Sequence, residues 1–279
     1  MTNNQPHTQK RKPAYRAQAI IRGLMLLCLI GMLAAGVILI RNNKEYSQGN
    51  AAYDQVRSAY KSTSEDGEIF EEGDPYAALP NLPPIIPGSI MDFSPLIEIN
   101  ADTVGWLIAE DTAIDYPLVQ ASDNVYYLTH LFNKDTNKLG SLFMDYRNQR
   151  DFTDRTTIIY GHNMLDNSMF ASLTDYEQQE YFENHPVMRL YTPQGDYSVK
   201  LFAGFVESGN SEFIRLTFKD DADFLAYIKQ LKSKSTFDSI VEVQAQDRII
   251  ALSTCSYNFN NARYVLFGKL VPIIRRQSN

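Results

Sequence analysis

Cysteine is scarce in this chain: two residues in 279, Cys28 and Cys255. Cys28 lies inside an apolar run, so Cys255 has no partner in the rest of the chain. That excludes a structural disulfide within one molecule and leaves a solitary thiol. Histidine is nearly as rare, with four residues, and two Cys with four His make a Cys/His zinc site a poor reading. Acidic residues are missing from positions 1–22, which hold Lys10, Arg11, Lys12, Arg16 and Arg22. Charge of either sign is missing from the eighteen residues Gly23 to Ile40. A run of that length is near the lower limit for a membrane-spanning helix, and the basic flank before it predicts a cytoplasmic N-terminus with the remainder outside. Ala34 and Ala35 would suit signal cleavage, but apolar sequence continues to Ile40, which favours an uncleaved anchor. Beyond residue 40 a basic excess is absent too: 21 Lys and Arg stand against 33 Asp and Glu, a net −12, which excludes a basic nucleic-acid surface. Internal repeats and long low-complexity tracts are also lacking.

What is present falls into four stretches: a basic segment 1–22, the apolar span 23–40, a polar region 41–89 and a β-rich domain 90–279. The polar region opens with a loose helical pattern through Tyr46, Ala51, Tyr53, Val56 and Tyr60, then becomes an extended linker from Asp74 to Gly88, with Pro75, Pro80, Pro83, Pro84 and Pro87. In the last stretch, short runs rich in β-branched and aromatic residues predict strands at 103–109, 114–119, 139–145, 156–161, 188–192, 196–207, 247–254 and 262–271. Eight such strands suggest a mainly β fold closed into a barrel rather than an open sheet. Two insertions read as helical, 166–184 and 221–233, the second with Phe224, Leu225, Ile228 and Leu231 at helical spacing. Asp220, Asp221 and Asp223 read as acidic residues favouring that helix's N-terminus rather than as metal ligands.

Three strand ends carry the chemistry. Cys255 closes the run Ile249-Ile250-Ala251-Leu252-Ser253-Thr254. Eight residues later Arg263 opens the next apolar run. About ninety residues upstream, Thr157-Ile158-Ile159-Tyr160 ends in Gly161-His162-Asn163. A thiol, an imidazole and a guanidinium suit nucleophilic acyl transfer: the thiolate attacks, the imidazole shuttles protons, and the guanidinium stabilises developing negative charge. His130, in Leu128-Thr-His-Leu-Phe132, is the rival histidine and is read as a barrel-surface residue. Trp106, Tyr126 and Tyr127 are read as core or rim packing.

At these residues the sequence resembles the class B sortases, over about residues 98–271. The matching stretches are Asn100-Ala-Asp-Thr-Val-Gly-Trp106, Ile114-Asp-Tyr-Pro117, Asn124-Val-Tyr-Tyr-Leu128, Gly140-Ser-Leu-Phe-Met-Asp-Tyr-Arg147, Tyr160-Gly-His162, Leu252-Ser-Thr-Cys255 and Arg263-Tyr-Val. The resemblance implies an eight-stranded sortase barrel with N-terminal helices and a helix in the connection before the penultimate strand. It implies a membrane-tethered cysteine transpeptidase on the outer face of a Gram-positive cell, needing no cofactor. Cys255 would attack a carbonyl within the C-terminal sorting signal of a surface protein, His162 would protonate the leaving amine, and Arg263 would hydrogen-bond the substrate and its oxyanion. A lipid II-like cell-wall precursor amine would then release the acyl-enzyme. Tyr160, Ser253, Phe213 and Ile214 fall where class B members line the peptide groove, and Thr254 joins them as a substrate-binding expectation. Where some members have an acidic residue just after the Cys, this chain has Ser256 and Tyr257.

Other readings differ in the acceptor or in the chemistry. A pilin-polymerising sortase would use a pilin Lys as its amine, and a thiol hydrolase would use water. A non-catalytic membrane-tethered barrel would only bind surface proteins and form no acyl-enzyme.

Overall fold

The computed structural model describes residues 14–60, 68–71, 85–86, 88–209, 213–256, 258 and 260–276. His7, Lys10, Arg11, Lys12, Tyr257 and most of the Pro-rich stretch lie outside the described residues. Two compact units divide at Ser47/Gln48. Helix α1 (Ala14–Tyr60) holds, near the N-terminus, a stretch with the length and composition of a membrane span, which a signal sequence shares. In the second unit, of the α1 positions read from the sequence, Tyr53 and Val56 are buried while Ala51 is exposed.

Eight strands form the body: β3 (Thr103–Ile108), β4 (Asp115–Val119), β5 (Leu142–Met144), β6 (Thr156–Tyr160), β7 (Val187–Thr192), β8 (Gly195–Ser208), β9 (Arg248–Ser256) and β10 (Ala262–Arg276). Each coincides with a stretch predicted from β-branched and aromatic enrichment. Their order is β10-β8-β7-β3-β4-β5-β6-β9, and β9 pairs back onto β10, so the sheet closes. Closure removes sheet edges along the barrel. Pairing is antiparallel except between β4 and β5 and between β6 and β9. Two short strands, β1 (Glu68–Glu71) and β2 (Ile85–Ile86), both pair with the far end of β10. A short α2 (Ser94–Ile99) precedes β3.

The connection from β8 to β9 contains α4 (Asp221–Lys234), the helix expected before the penultimate strand. Asp220 caps it by accepting from the Asp223 amide at 2.8 Å, and Lys232 and Lys234 sit in its last turn, so both ends suit the helix dipole. Phe224, Tyr227, Ile228 and Leu231 bury one face against Phe202, Phe205, Ile249, Val265 and Phe267 of the barrel. Each such side chain contributes about 1.5–3 kcal/mol of burial.

The insertion 166–184 is not one helix. A 3₁₀ stretch, Ala171–Glu177, is separated from α3 (Gln179–Asn184) by the extended residue Gln178. Leu173, Tyr176 and Phe182 are buried, and turning all three inward outweighs regular helix geometry. The sequence pattern revealed the apolar residues but not the break between them.

Candidate active site

β9 and β10 are consecutive antiparallel strands, and their register places Cys255 directly opposite Arg263. Residues facing each other across such a pair share one side of the sheet. Along β9 the side chains alternate, yet Ser253, Thr254 and Ser256 are buried while Cys255 is exposed. The thiol therefore emerges one residue before the strand ends.

β6 lies parallel on the other side of β9, with Tyr160 level with Ser253. The ladder continues one step further, as the Gly161 amide donates to the Ser253 carbonyl at 3.1 Å. Gly161 is needed here, because a Cβ would stand 2.6 Å from the Phe170 ring. Two steps past each member of the Tyr160–Ser253 pair come His162 and Cys255. Asn163 ties the two segments together by donating from Nδ2 to the Cys255 carbonyl at 3.0 Å. The His162 imidazole has its Nε2 2.7 Å from the Leu128 carbonyl oxygen. A carbonyl only accepts, so Nε2 carries a hydrogen, and in the neutral ring the lone pair lies on Nδ1.

Cys255, His162 and Arg263 line one cleft of ≈ 1000 Å³ together with Tyr160, Ser253, Leu128 and Arg147. Its outer wall is the segment Phe213 to Thr217, between β8 and α4. Tyr227 of α4 donates its hydroxyl to the Phe213 carbonyl at 3.0 Å, and Arg215 grips Asp223 with two hydrogen bonds of 2.9 and 2.5 Å. The guanidinium of Arg215, followed by the Lys219 amide, lowers the Asp223 pKa to about 2. These bonds tie the wall to α4.

Beneath Tyr160 is a polar floor. Asp145, fully buried, accepts from Arg147 Nε at 2.8 Å and its terminal nitrogen at 2.7 Å, from Asn124 at 2.9 Å and from the Tyr160 hydroxyl at 3.0 Å. Burial pushes this carboxyl upward, but Arg147 and the other donors outweigh it, so its pKa is lowered. Burial, followed by the facing Asp145 charge, raises the Tyr160 hydroxyl. Ser253 Oγ is different: it is buried with no hydrogen-bond partner among the described residues.

The structure thus brings Cys255, His162, Arg263, Tyr160, Ser253, Phe213 and Ile214 to one cleft. Thr254 is not among its lining residues. It is fully buried, one residue out of phase with Cys255 and opposite Tyr264 on β10, because strand side chains alternate. His130 is stacked on Tyr126, with ring centroids 4.0 Å apart, and its Nδ1 meets the Tyr126 carbonyl at 2.7 Å. Trp106 is fully buried and donates to Asp115 at 2.7 Å, and Tyr127 is buried while Tyr126 stays partly exposed. Asp221 pairs with Arg155 and Asp223 with Arg215. Among the described residues no group of three His, Cys, Asp or Glu is placed to hold a metal. Sequence reasoning passed over Asn163, the Leu128 carbonyl and the Asp145–Arg147 pair. Only the last left a trace in the sequence, a carboxylate and a guanidinium two residues apart just past an apolar run.

No family model matches the chain. The sortase B of Listeria monocytogenes is 42% identical over 178 residues, 63% of this chain and 72% of that protein. A Staphylococcus aureus sortase B–substrate complex superposes with a TM-score of 0.62 at 35% identity, covering 64% of this chain and 84% of that one. A sortase B from B. anthracis, solved in complex with AAEK1, gives a TM-score of 0.68 at 29% identity over 82% of this chain and 99% of that one.

Proposed function

The chain belongs to the class B sortases, transpeptidase enzymes, and from that premise we propose that Cys255, His162 and Arg263 carry out its reaction. The observation that supports this reading is the cross-strand pairing of Cys255 with Arg263, with His162 brought level from β6 in the same cleft. The Cys255 thiolate attacks a backbone carbonyl within the C-terminal sorting signal of a surface protein. Arg263 donates to the carbonyl oxygen as it gains negative charge, a task suited to a planar fork of donors. As the C–N bond breaks, His162 in its imidazolium form gives the proton on Nδ1 to the leaving amine and becomes neutral, while Nε2–H stays on the Leu128 carbonyl. The resulting thioester is attacked by the amine of a lipid II-like cell-wall precursor. His162 takes up that amine's proton, and the thiolate is released. One amide is exchanged for another, so no oxidant or cofactor enters the balance.

Ser253, Tyr160, Phe213 and Ile214 bind the peptide; the unpartnered Ser253 hydroxyl supports this for one of them. Residues 23–40 anchor the enzyme in the cell membrane of a Gram-positive bacterium. Residues 1–22 are cytoplasmic, 41–89 form the helical and Pro-rich connection, and the catalytic domain 90–279 is extracellular. A peptide-library cleavage assay on the full chain in detergent, with mass spectrometry of the protein, tests the reading. The expected result is cleavage at one preferred sequence, with the acyl group attached to Cys255. Cleavage without an adduct on Cys255, or none at all, would sink it. Supplying a wall-precursor amine, a Lys side chain or water alone as acceptor distinguishes wall anchoring from pilin polymerisation and hydrolysis.

A further inference from the structure

His162 lies beyond the last residue of β6, in a loop that the barrel ladder no longer holds. Its position depends on what it touches: Asn163 beside it is tied to the Cys255 carbonyl of β9, and two further supports trace to α1. The first support is the Leu128 carbonyl. The turn at Gly140 presses against the carbonyls of Tyr127 and Leu128: Gly140 has φ +60°, and a Cβ there would stand 2.5 and 2.8 Å from those two oxygens. Ser141 reinforces the turn, donating its amide to the Tyr127 carbonyl and its hydroxyl to the His130 carbonyl, both at 2.9 Å. Under this turn sits Tyr53 of α1, buried, with its hydroxyl donating to the Gly140 carbonyl at 2.7 Å and 3.0 Å from Ser141 Oγ.

The second support is the loop that follows His162. The Phe170 amide donates to the His162 carbonyl at 2.9 Å. One residue earlier, the Met169 amide donates to the Tyr116 hydroxyl at 3.2 Å. The Tyr116 ring meets the Tyr53 ring edge-on, with centroids 5.1 Å apart, and Arg57 of α1 lies over its face at 5.0 Å. Asn50 of α1 donates to the Asp166 carboxylate in the same loop at 3.1 Å. Helix α1 contributes no strand to the barrel, yet its residues 50–57 hold the Gly140 turn that packs against the acceptor of the imidazole N–H, and reach the loop that carries the imidazole.

We infer that Tyr53, assisted by Asn50, is a positioning residue for His162. The inference rests on the proposed role of His162 as proton donor. Misplacing a catalytic group by about 1 Å can cost on the order of a hundred-fold in rate. The loss falls only on steps in which the proton is needed, and this separates positioning from general stability. An amide leaving group must be protonated as it departs, whereas p-nitrophenolate leaves without a proton.

The experiment measures single-turnover acylation of the full chain in detergent. Its probes are the library-selected peptide as an amide and the p-nitrophenyl ester of the same acyl portion. Tyr53→Phe is expected to slow amide acylation roughly ten-fold while ester acylation stays within about two-fold. His162→Ala should give the same signature more strongly, and Asn50→Ala, a surface change, more weakly. Val56→Ala removes buried carbon from the same helix but no hydrogen bond, so it should lower the Tm and leave the amide-to-ester ratio unchanged. If Tyr53→Phe behaves like Val56→Ala while His162→Ala shows the selective loss, the inference is overturned and the proposed mechanism stands. A His162→Ala variant with an unchanged ratio removes the proton-donor role itself, and the inference with it. Should Tyr53→Phe fail to fold, a wild-type ratio in Asn50→Ala overturns the positioning role.

Discussion

Two neighbouring parts of one cleft treat their polar groups in opposite ways. Beneath Tyr160, the buried Asp145 carboxylate accepts five hydrogen bonds, three from Arg147 and one each from Asn124 and Tyr160. On β9, Cys255 is exposed and the Ser253 hydroxyl is buried without a partner among the described residues. A saturated cluster resists rearrangement, because displacing any member strands a charge in a low-dielectric site. An unsatisfied group is costly in the empty protein and useful only when something arrives to meet it. The first region holds a shape and the second has bonding capacity to spare, which is where a substrate is expected to bind.

Substitutions can sharpen or break this contrast. The largest expected effect is that of Cys255→Ala. Acyl-enzyme formation, followed by mass spectrometry, should vanish while the thermal midpoint stays at the wild-type value, since an exposed sulfur contributes little packing. Retained turnover would place the nucleophile elsewhere. Next comes Arg263→Lys, which keeps the charge and loses the planar fork. Single-turnover acylation should fall about a hundred- to a thousand-fold, the usual cost of one oxyanion donor. A much smaller loss would mean that a point charge suffices.

Asp145→Asn should act on stability instead, by about 1–3 kcal/mol, the cost of leaving buried hydrogen-bonding groups unsatisfied, since the Arg147 side chain is itself half-exposed. This carboxyl has a lowered pKa in the fold, so its stabilisation is complete above its ordinary value near about 4 and is lost as pH falls through the folded value. The gap between wild type and Asp145→Asn in denaturant unfolding should therefore narrow on acidification. A constant gap would mean that the carboxylate charge is not what stabilises the floor. The smallest effect belongs to Ser253→Ala. Removing an unpartnered hydroxyl should leave stability unchanged or slightly raised, while acylation falls roughly five-fold for one lost substrate hydrogen bond of about 1 kcal/mol. Clear destabilisation would show that this hydroxyl already has a partner and that the two regions do not differ as described.

Much of the fold is legible in the sequence. The barrel strands announce themselves through β-branched and aromatic runs, and α4 through apolar residues at helical spacing with acidic residues at its start. The insertion 166–184 was misread because its apolar residues fit one helical face while Gln178 breaks the helix to bury them. Cys255, His162 and Arg263 were visible because each is a rare or charged residue at the end of an apolar run. Thr254 shows the limit of adjacency: the period of two that exposes Cys255 turns its neighbour away. The Leu128 carbonyl left no trace, since every residue has one and only the fold aims it.

By itself the sequence determined the inventory: a lone thiol beyond the apolar span, a histidine and an arginine near strand ends, and enough alternating apolar residues to close a barrel. Tertiary structure alone decided which of these groups meet. The parallel pairing of β6 with β9 joins segments about ninety residues apart. The approach of Tyr53 to Gly140 spans 87 residues. No local pattern encodes such contacts. They form because closing the sheet and burying its inner face fix the register of every strand at once, and that register carries Cys255, His162 and Arg263 into a single cleft.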